Sequence, residues 1–135
     1  MTISHMFAGN TPTRESPYVV TETAVERFAR AIRAIPAVQG FAPPTFATVI
    51  AQPGQAKAVE QLLNSSADLH VVHLDQTFTH TRPIRVGDQL WTSTTIGADK
   101  RLGRHRVLTV STEIRSTTDD LVCVCLATVL LRAAS

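Results

Sequence analysis

Aromatic residues are scarce: one Trp, one Tyr and five Phe make up 5% of a 135-residue chain. A core must then be filled mainly by aliphatic side chains, and the 44% hydrophobic content is enough for one core. A chain of this length fits a single domain. An excess of one charge is also lacking. Thirteen Lys and Arg stand against eleven Asp and Glu, a net charge of +2. That is too little for a dedicated nucleic-acid binder, which carries a strong basic excess. The charged fraction is only 18% and is spread along the chain, which argues against global disorder. No apolar run reaches the roughly 18 residues needed to span a bilayer. Residues 1–15 show no positive segment followed by an apolar block, so no secretory signal is read there. Cysteine is limited to Cys123 and Cys125. Two positions apart on a strand, they point the same way and bridge poorly. Free thiols in an apolar run indicate a reducing compartment. Without matched His spacing they make a poor zinc site, so no metal is expected. The expected location is the cytoplasm, with neither nucleic acid nor membrane as partner.

Residues 1–16 are rich in Thr, Ser, Pro, Asn and Gly and read as a mobile tail; residues 17–135 read as the domain. A short strand is expected at Tyr18, Val19 and Val20. A helix then starts with a capping box from Thr23 to Glu26. Its apolar stripe is Val25, Phe28, Ala29, Ile32 and Ile35, and Pro36 ends it. Residues 45–51 are nearly all apolar with no ionisable side chain, the pattern of a buried helix. Pro53 and Gly54 predict a break or kink. A second helical piece over residues 55–63 shows Ala56, Val59, Leu62 and Leu63 on one face.

The remainder predicts strands. Over residues 70–80, Val72, Leu74 and Phe78 face one way while His73, Asp75, Thr77 and Thr79 face the other. Further strands are expected over residues 89–98, 104–115 and 121–132, with turns at 82–88, 99–103 and 117–120. The last strand is apolar on both faces and is expected to be covered on both. Helices followed by long strands with short turns make an α+β pattern, a helix layer on one face of an antiparallel sheet.

Two segments narrow this further. Ala42-Pro43-Pro44-Thr45-Phe46 resembles the start of the central helix in the N-terminal half of MaoC-like dehydratases. Asp75-Gln76, followed by the run Arg82-Pro83-Ile84-Arg85-Val86-Gly87-Asp88-Gln89-Leu90, resembles the second strand and turn of the same family. The match is nearest to the non-catalytic subunit type of the (3R)-hydroxyacyl-carrier-protein dehydratases of mycolic-acid synthesis. The resemblance implies a single hot-dog fold, a long antiparallel sheet wrapped around a central helix. It also implies an acyl thioester, on acyl carrier protein or coenzyme A, as ligand, with no further cofactor. In that family an Asp and a His on an Asp-x-Asn-Pro-x-His motif ahead of the helix dehydrate the 3-hydroxyacyl thioester. The His takes the C2 proton and the Asp helps the hydroxyl leave. Here no His, Asp or Glu lies between Ile35 and Phe46, so no catalytic residue carries over. The resemblance leaves Ala42, Pro43, Thr45, Phe46 and Val49 as the acyl-channel residues. It implies a second hot-dog subunit that brings the Asp/His pair.

Other candidates carry a plain and a functional reading. His73 and Asp75 form an acid–base pair or a solvent-facing stripe. His70 and His80 read as boundary residues rather than ligands. Lys100, Arg101 and Arg104, with His105 and Arg106, form a basic cluster. It would meet an acidic carrier protein or coenzyme A phosphates, or is a solvated turn. Gln76 faces a subunit interface or bonds within the sheet. Cys123 and Cys125 read as packing residues. Ser65 and Ser66 lack a nucleophile context. Two further functions compete with the dehydratase subunit. One is a non-enzymatic acyl-thioester-binding or scaffold homodimer. The other is an acyl thioesterase, disfavoured because residues 45–57 contain no acid.

Overall fold

Which face of each strand meets the helix layer is decided by alternation, and the alternation here is interrupted three times. The computed structural model describes residues 11–12, 17–33, 40–63 and 69–133. Two short strands, β1 (Thr11–Pro12) and β2 (Tyr18–Val19), precede helix α1 (Glu22–Ala31). A 3-10 turn (Pro44–Phe46) runs directly into helix α2 (Ala47–Leu62). Four long strands follow: β3 (Leu69–His80), β4 (Gln89–Leu102), β5 (His105–Ser116) and β6 (Leu121–Ala133). All pairings are antiparallel, in the order β1-β4-β5-β6-β3, with β2 also on β4. This is the expected α+β hot-dog fold, with α2 packed against β4, β5 and β6.

The N-terminal expectations need correction. Thr11 and Pro12 pair with Thr94 and Ser93, so these two residues of the segment read as a tail belong to the sheet. The cap of α1 is Thr21, whose hydroxyl accepts from the Ala24 amide at 3.1 Å; Thr23 lies inside the helix. Val25 is buried and Phe28 half-buried, whereas Ile32 closes the helix exposed to solvent. Ile35 and Pro36 lie outside the described residues.

Helix α2 does not break at Pro53. It runs unbroken for 16 residues with Pro53 inside it. A proline there removes one backbone N–H bond. Because Pro53 faces solvent, water can satisfy the carbonyl left over. The buried face is Ala47, Ile50, Ala51, Gly54, Gln55 and Val59; Ala56, expected on that face, is exposed. The small residues Ala47, Ala51 and Gly54 let the helix lie close to the sheet.

The strands carry register shifts at Leu74, Ala98 and Val122. Leu74 is the extra residue between His73, opposite Val129, and Asp75, opposite Thr128. The helix-facing side of β6 is Cys123, Cys125, Ala127, Val129 and Leu131, all buried. Residues directly opposite share a face. His73 therefore points to the helix side and Asp75 to the outer side, so they are not a same-face pair. Val72 and Phe78 likewise fall on opposite faces, and Leu74 is 51% exposed. Strand β6 is central in the sheet, but among the described residues its outer face is only partly covered: Val124, Thr128 and Leu130 are half-buried and Leu126 is 40% exposed.

The β4–β5 hairpin is tighter than its composition suggests. Strand β4 runs to Leu102, leaving Gly103 and Arg104 as a two-residue turn. Gly103 has φ of 64°, as two-residue loops that begin with glycine require. The core divides along α2. One cluster gathers Phe46, Ile50, Ile84, Leu90, Ile114, Cys123 and Cys125 at the helix start. The other gathers Val59, Leu108, Val110, Val129 and Leu131 at its end.

Candidate functional site

The segments that suggested a family meet in space. The amide of Ala42 donates to Ile84 O at 2.8 Å, and that of Val86 donates to Gly40 O at 2.9 Å. The approach to α2 is thus strapped to the turn after β3. Asp88 holds that turn together. It accepts from Arg82 Nη1 at 2.9 Å and from the Arg85 amide at 2.8 Å. Gly87, at φ 98°, makes the reversal and donates to Val20 O at 2.8 Å. Arg85 lies over the Phe41 ring, 5.7 Å from its centroid.

The five channel candidates all fall on this structure, with unequal access. Phe46 is 0% exposed, packed edge-on against Phe28 at 5.5 Å and tilted against Tyr18 at 6.4 Å. Ala42 and Pro43 are buried too, Ala42 in the same core cluster as Phe46. Val49 is half-buried and Thr45 is open to solvent.

His80, read from sequence as a boundary residue, joins the same place. Its Nε2 lies 3.0 Å from Pro44 O and 3.8 Å from Cys123 Sγ. The Cys123 and Cys125 sulfurs are 4.0 Å apart, both fully buried. Contact with Cys123, reinforced by burial, pushes the Cys125 thiol far above the ordinary range. The same contact lowers Cys123, against the cost of burial. Neither thiol meets the open, electropositive surroundings a reactive cysteine needs. No signal within residues 70–80 reveals the role of His80, because its partner Pro44 is 36 residues away.

The basic cluster is elsewhere. Lys100, Arg101 and Arg104 are exposed near the β4–β5 turn, level with the end of α2 rather than its start. An α-helix of this length is about 24 Å long, which sets the scale of the separation. Arg106 does not belong with them: it pairs with Asp99, and this contact holds the Asp99 carboxyl below the usual range. His73 and Asp75 remain exposed on opposite faces. Among the described residues no three His, Cys, Asp or Glu side chains converge as metal ligands. No described helix is long and apolar enough to cross a membrane. A concavity of about 290 Å³ involving Trp91, Glu113 and Arg115 lies on the outer face of the sheet, across from the helix; there Arg115 pairs with Glu113 at 3.1 Å.

Comparison with known proteins agrees with this fold. A protein of the UPF0336 group from Parafrankia sp. is 34% identical over 137 residues, covering 90% of this chain and 89% of its own length. A subunit in the HadBC (3R-hydroxyacyl-ACP dehydratase) complex of Mycobacterium tuberculosis superposes with a TM-score of 0.72 at 18% identity. It covers 90% of this chain and 95% of that one. A MaoC-like dehydratase superposes with a TM-score of 0.80 at 20% identity, over 93% of this chain and 42% of the larger one. At these identities the two structures speak for the fold alone. Residues 7–124 match the family described as FAS1-like, dehydratase domain region, and the chain belongs to that family.

Proposed function

We propose that this chain is the substrate-binding, non-catalytic subunit of a 3-hydroxyacyl-thioester dehydratase of fatty-acid metabolism in the cytoplasm. A second hot-dog subunit supplies the Asp and His. The observation that carries the reading is the composition of the helix start. Where the family's acid and base are expected, this chain has Gly40, Phe41, Ala42, Pro43, Pro44 and Thr45, none able to move a proton at neutral pH. The walls around that place are built all the same, strapped to the turn after β3. In this reading Ala42, Pro43, Thr45, Phe46 and Val49 border the acyl chain.

The sheet supports a partner of the same kind. Among the described residues β3 pairs only with β6, so its other edge carries unpaired backbone groups. Val71 and Leu74 on that strand are 50% and 51% exposed. Antiparallel addition of a partner's equivalent strand would set the Leu69 end of β3 beside the partner's helix start. Lys100, Arg101 and Arg104 would then stand near the partner's catalytic end, placed to attract an acidic carrier protein or the phosphates of coenzyme A.

The test is to purify the chain alone and together with a hot-dog chain that bears the Asp/His motif. Hydration of a trans-2-enoyl thioester is then assayed. Activity confined to the mixture, with both chains co-eluting, is the expected result. A homodimer that ignores the partner and acts on no thioester would leave a binding or scaffold role instead.

A further inference from the structure

The helix-facing side of β3 presents Gln76, Phe78 and His80 in succession, opposite Ala127, Cys125 and Cys123. The tautomer of His80 follows from its neighbour. Pro44 O can only accept, so the Nε2 atom 3.0 Å away carries the proton. In the neutral ring Nδ1 then holds a free lone pair. Nδ1 is shielded from solvent and has no hydrogen-bond partner among the described residues. The contact with Cys123 Sγ is made by Nε2, so it does not use Nδ1 either. Gln76 Nε2 is in the same condition: a shielded amide nitrogen, with N–H groups to donate and no partner among the described residues.

Buried polar atoms are nearly always paired, because leaving one bare costs free energy with no return. Two such atoms on one face of one edge strand are therefore a feature to explain. They are complementary: an acceptor at His80 and a donor at Gln76. Four residues of strand set their Cα atoms about 13 Å apart. Phe78 lies between them, tilted against the His80 ring at 6.5 Å. A ligand that satisfies both must be extended, with an N–H near one end, a carbonyl near the other and apolar atoms between. The amide-bearing arm of a pantetheine thioester has this chemistry.

We infer that His80 and Gln76 are ligand-binding residues that grip such an arm along the inner face of β3. His80 Nδ1 accepts an amide N–H, and Gln76 Nε2 donates to a carbonyl. The inference rests on the thioester reading above and assigns it two residues outside the helix start.

The experiment uses the assembled two-subunit complex and octanoyl-pantetheine as probe, with affinity measured by calorimetry. His80→Gln keeps an amide N–H for Pro44 O but removes the Nδ1 acceptor. It is expected to weaken binding about five- to tenfold, the worth of one neutral hydrogen bond, with little change in Tm. His80→Asn restores an acceptor near Nδ1 and gives up the bond to Pro44. It is expected to bind nearer to wild type while melting lower. In the wild-type complex, the ¹⁵N resonance of His80 Nδ1 should move on adding the probe. Wild-type affinity in both His80→Gln and Gln76→Leu, with an unmoved Nδ1 resonance, overturns the inference. A wild-type complex that binds no probe overturns both it and the thioester reading. A complex that binds through His80 yet hydrates no enoyl thioester supports the inference and refutes only the dehydratase assignment.

Discussion

Truncating Phe46 to alanine tests how far the core at the helix start depends on that ring. The side chain is 0% exposed and held by two rings, Phe28 at 86° and 5.5 Å and Tyr18 at 56° and 6.4 Å. Removing a fully buried phenylalanine costs about 3–5 kcal/mol. The edge-to-face contact with Phe28 accounts for about 0.5–1.5 kcal/mol beyond area burial. Against a total stability of about 5–15 kcal/mol, Phe46→Ala should leave a marginal protein. Phe46→Leu, which keeps most of the volume, should lose less than about 1.5 kcal/mol. Urea denaturation of the isolated chain measures both, and an unchanged m-value shows that the two states compared are the same. A ring that bordered open space in the isolated chain would cost little to truncate. A loss below about 1.5 kcal/mol for Phe46→Ala would refute the core assignment. In a double-mutant cycle, Phe28→Ala and Phe46→Ala should couple, because the rings touch.

Pro53→Ala should stabilise the isolated chain by about 1–3 kcal/mol in the same assay, since it restores a helical N–H at a solvent-facing position. Thr94 and Thr112 share a buried hydroxyl contact at 2.9 Å. Either Thr→Val change alone should cost about 1–3 kcal/mol by stranding the other hydroxyl, and the double change should cost less than the two single changes summed. Asp99 is depressed first by its hydrogen bond to Arg106, so its contribution is present above the unfolded carboxylate pKa and fades as pH falls through the lowered value. Arg106→Ala should therefore lower stability by no more than about 1 kcal/mol near neutral pH. In thermal melts taken across the acid range, that difference should vanish once Asp99 is protonated in both states.

Much of the architecture was legible because it rests on local period. The alternation in β5, the apolar run of α2 and the turn residues after β3 and β5 each specify an element without reference to anything distant. The failures share a cause. Leu74 looks like a core residue by period 2, but a single inserted residue moves everything before it to the opposite face. Thr23 and Glu26 spell a capping box, yet Thr21 takes the cap because the chain turns there to leave β2. Proline's helix-breaking tendency at Pro53 is outweighed by the packing of Ile50, Ala51, Gly54 and Gln55. At the candidate site, the helix start could be found by resemblance. His80 could not, since its meaning comes from Pro44 and Cys123, which only the fold brings to it.

The two margins of the sheet are unlike, and this limits how far assembly could grow. On one margin β4 is met by β1 and β2. Beyond Thr94 it carries the irregularity at Ala98 and the charges of Lys100 and Arg101, features that discourage a neighbour from adding on. On the other margin β3 has no second neighbour among the described residues. A chain with one receptive edge and one guarded edge can join a single companion and then has nothing left to offer. Association by strand addition would close at two chains, and the repeated stacking that turns exposed edges into fibres has no second surface from which to propagate.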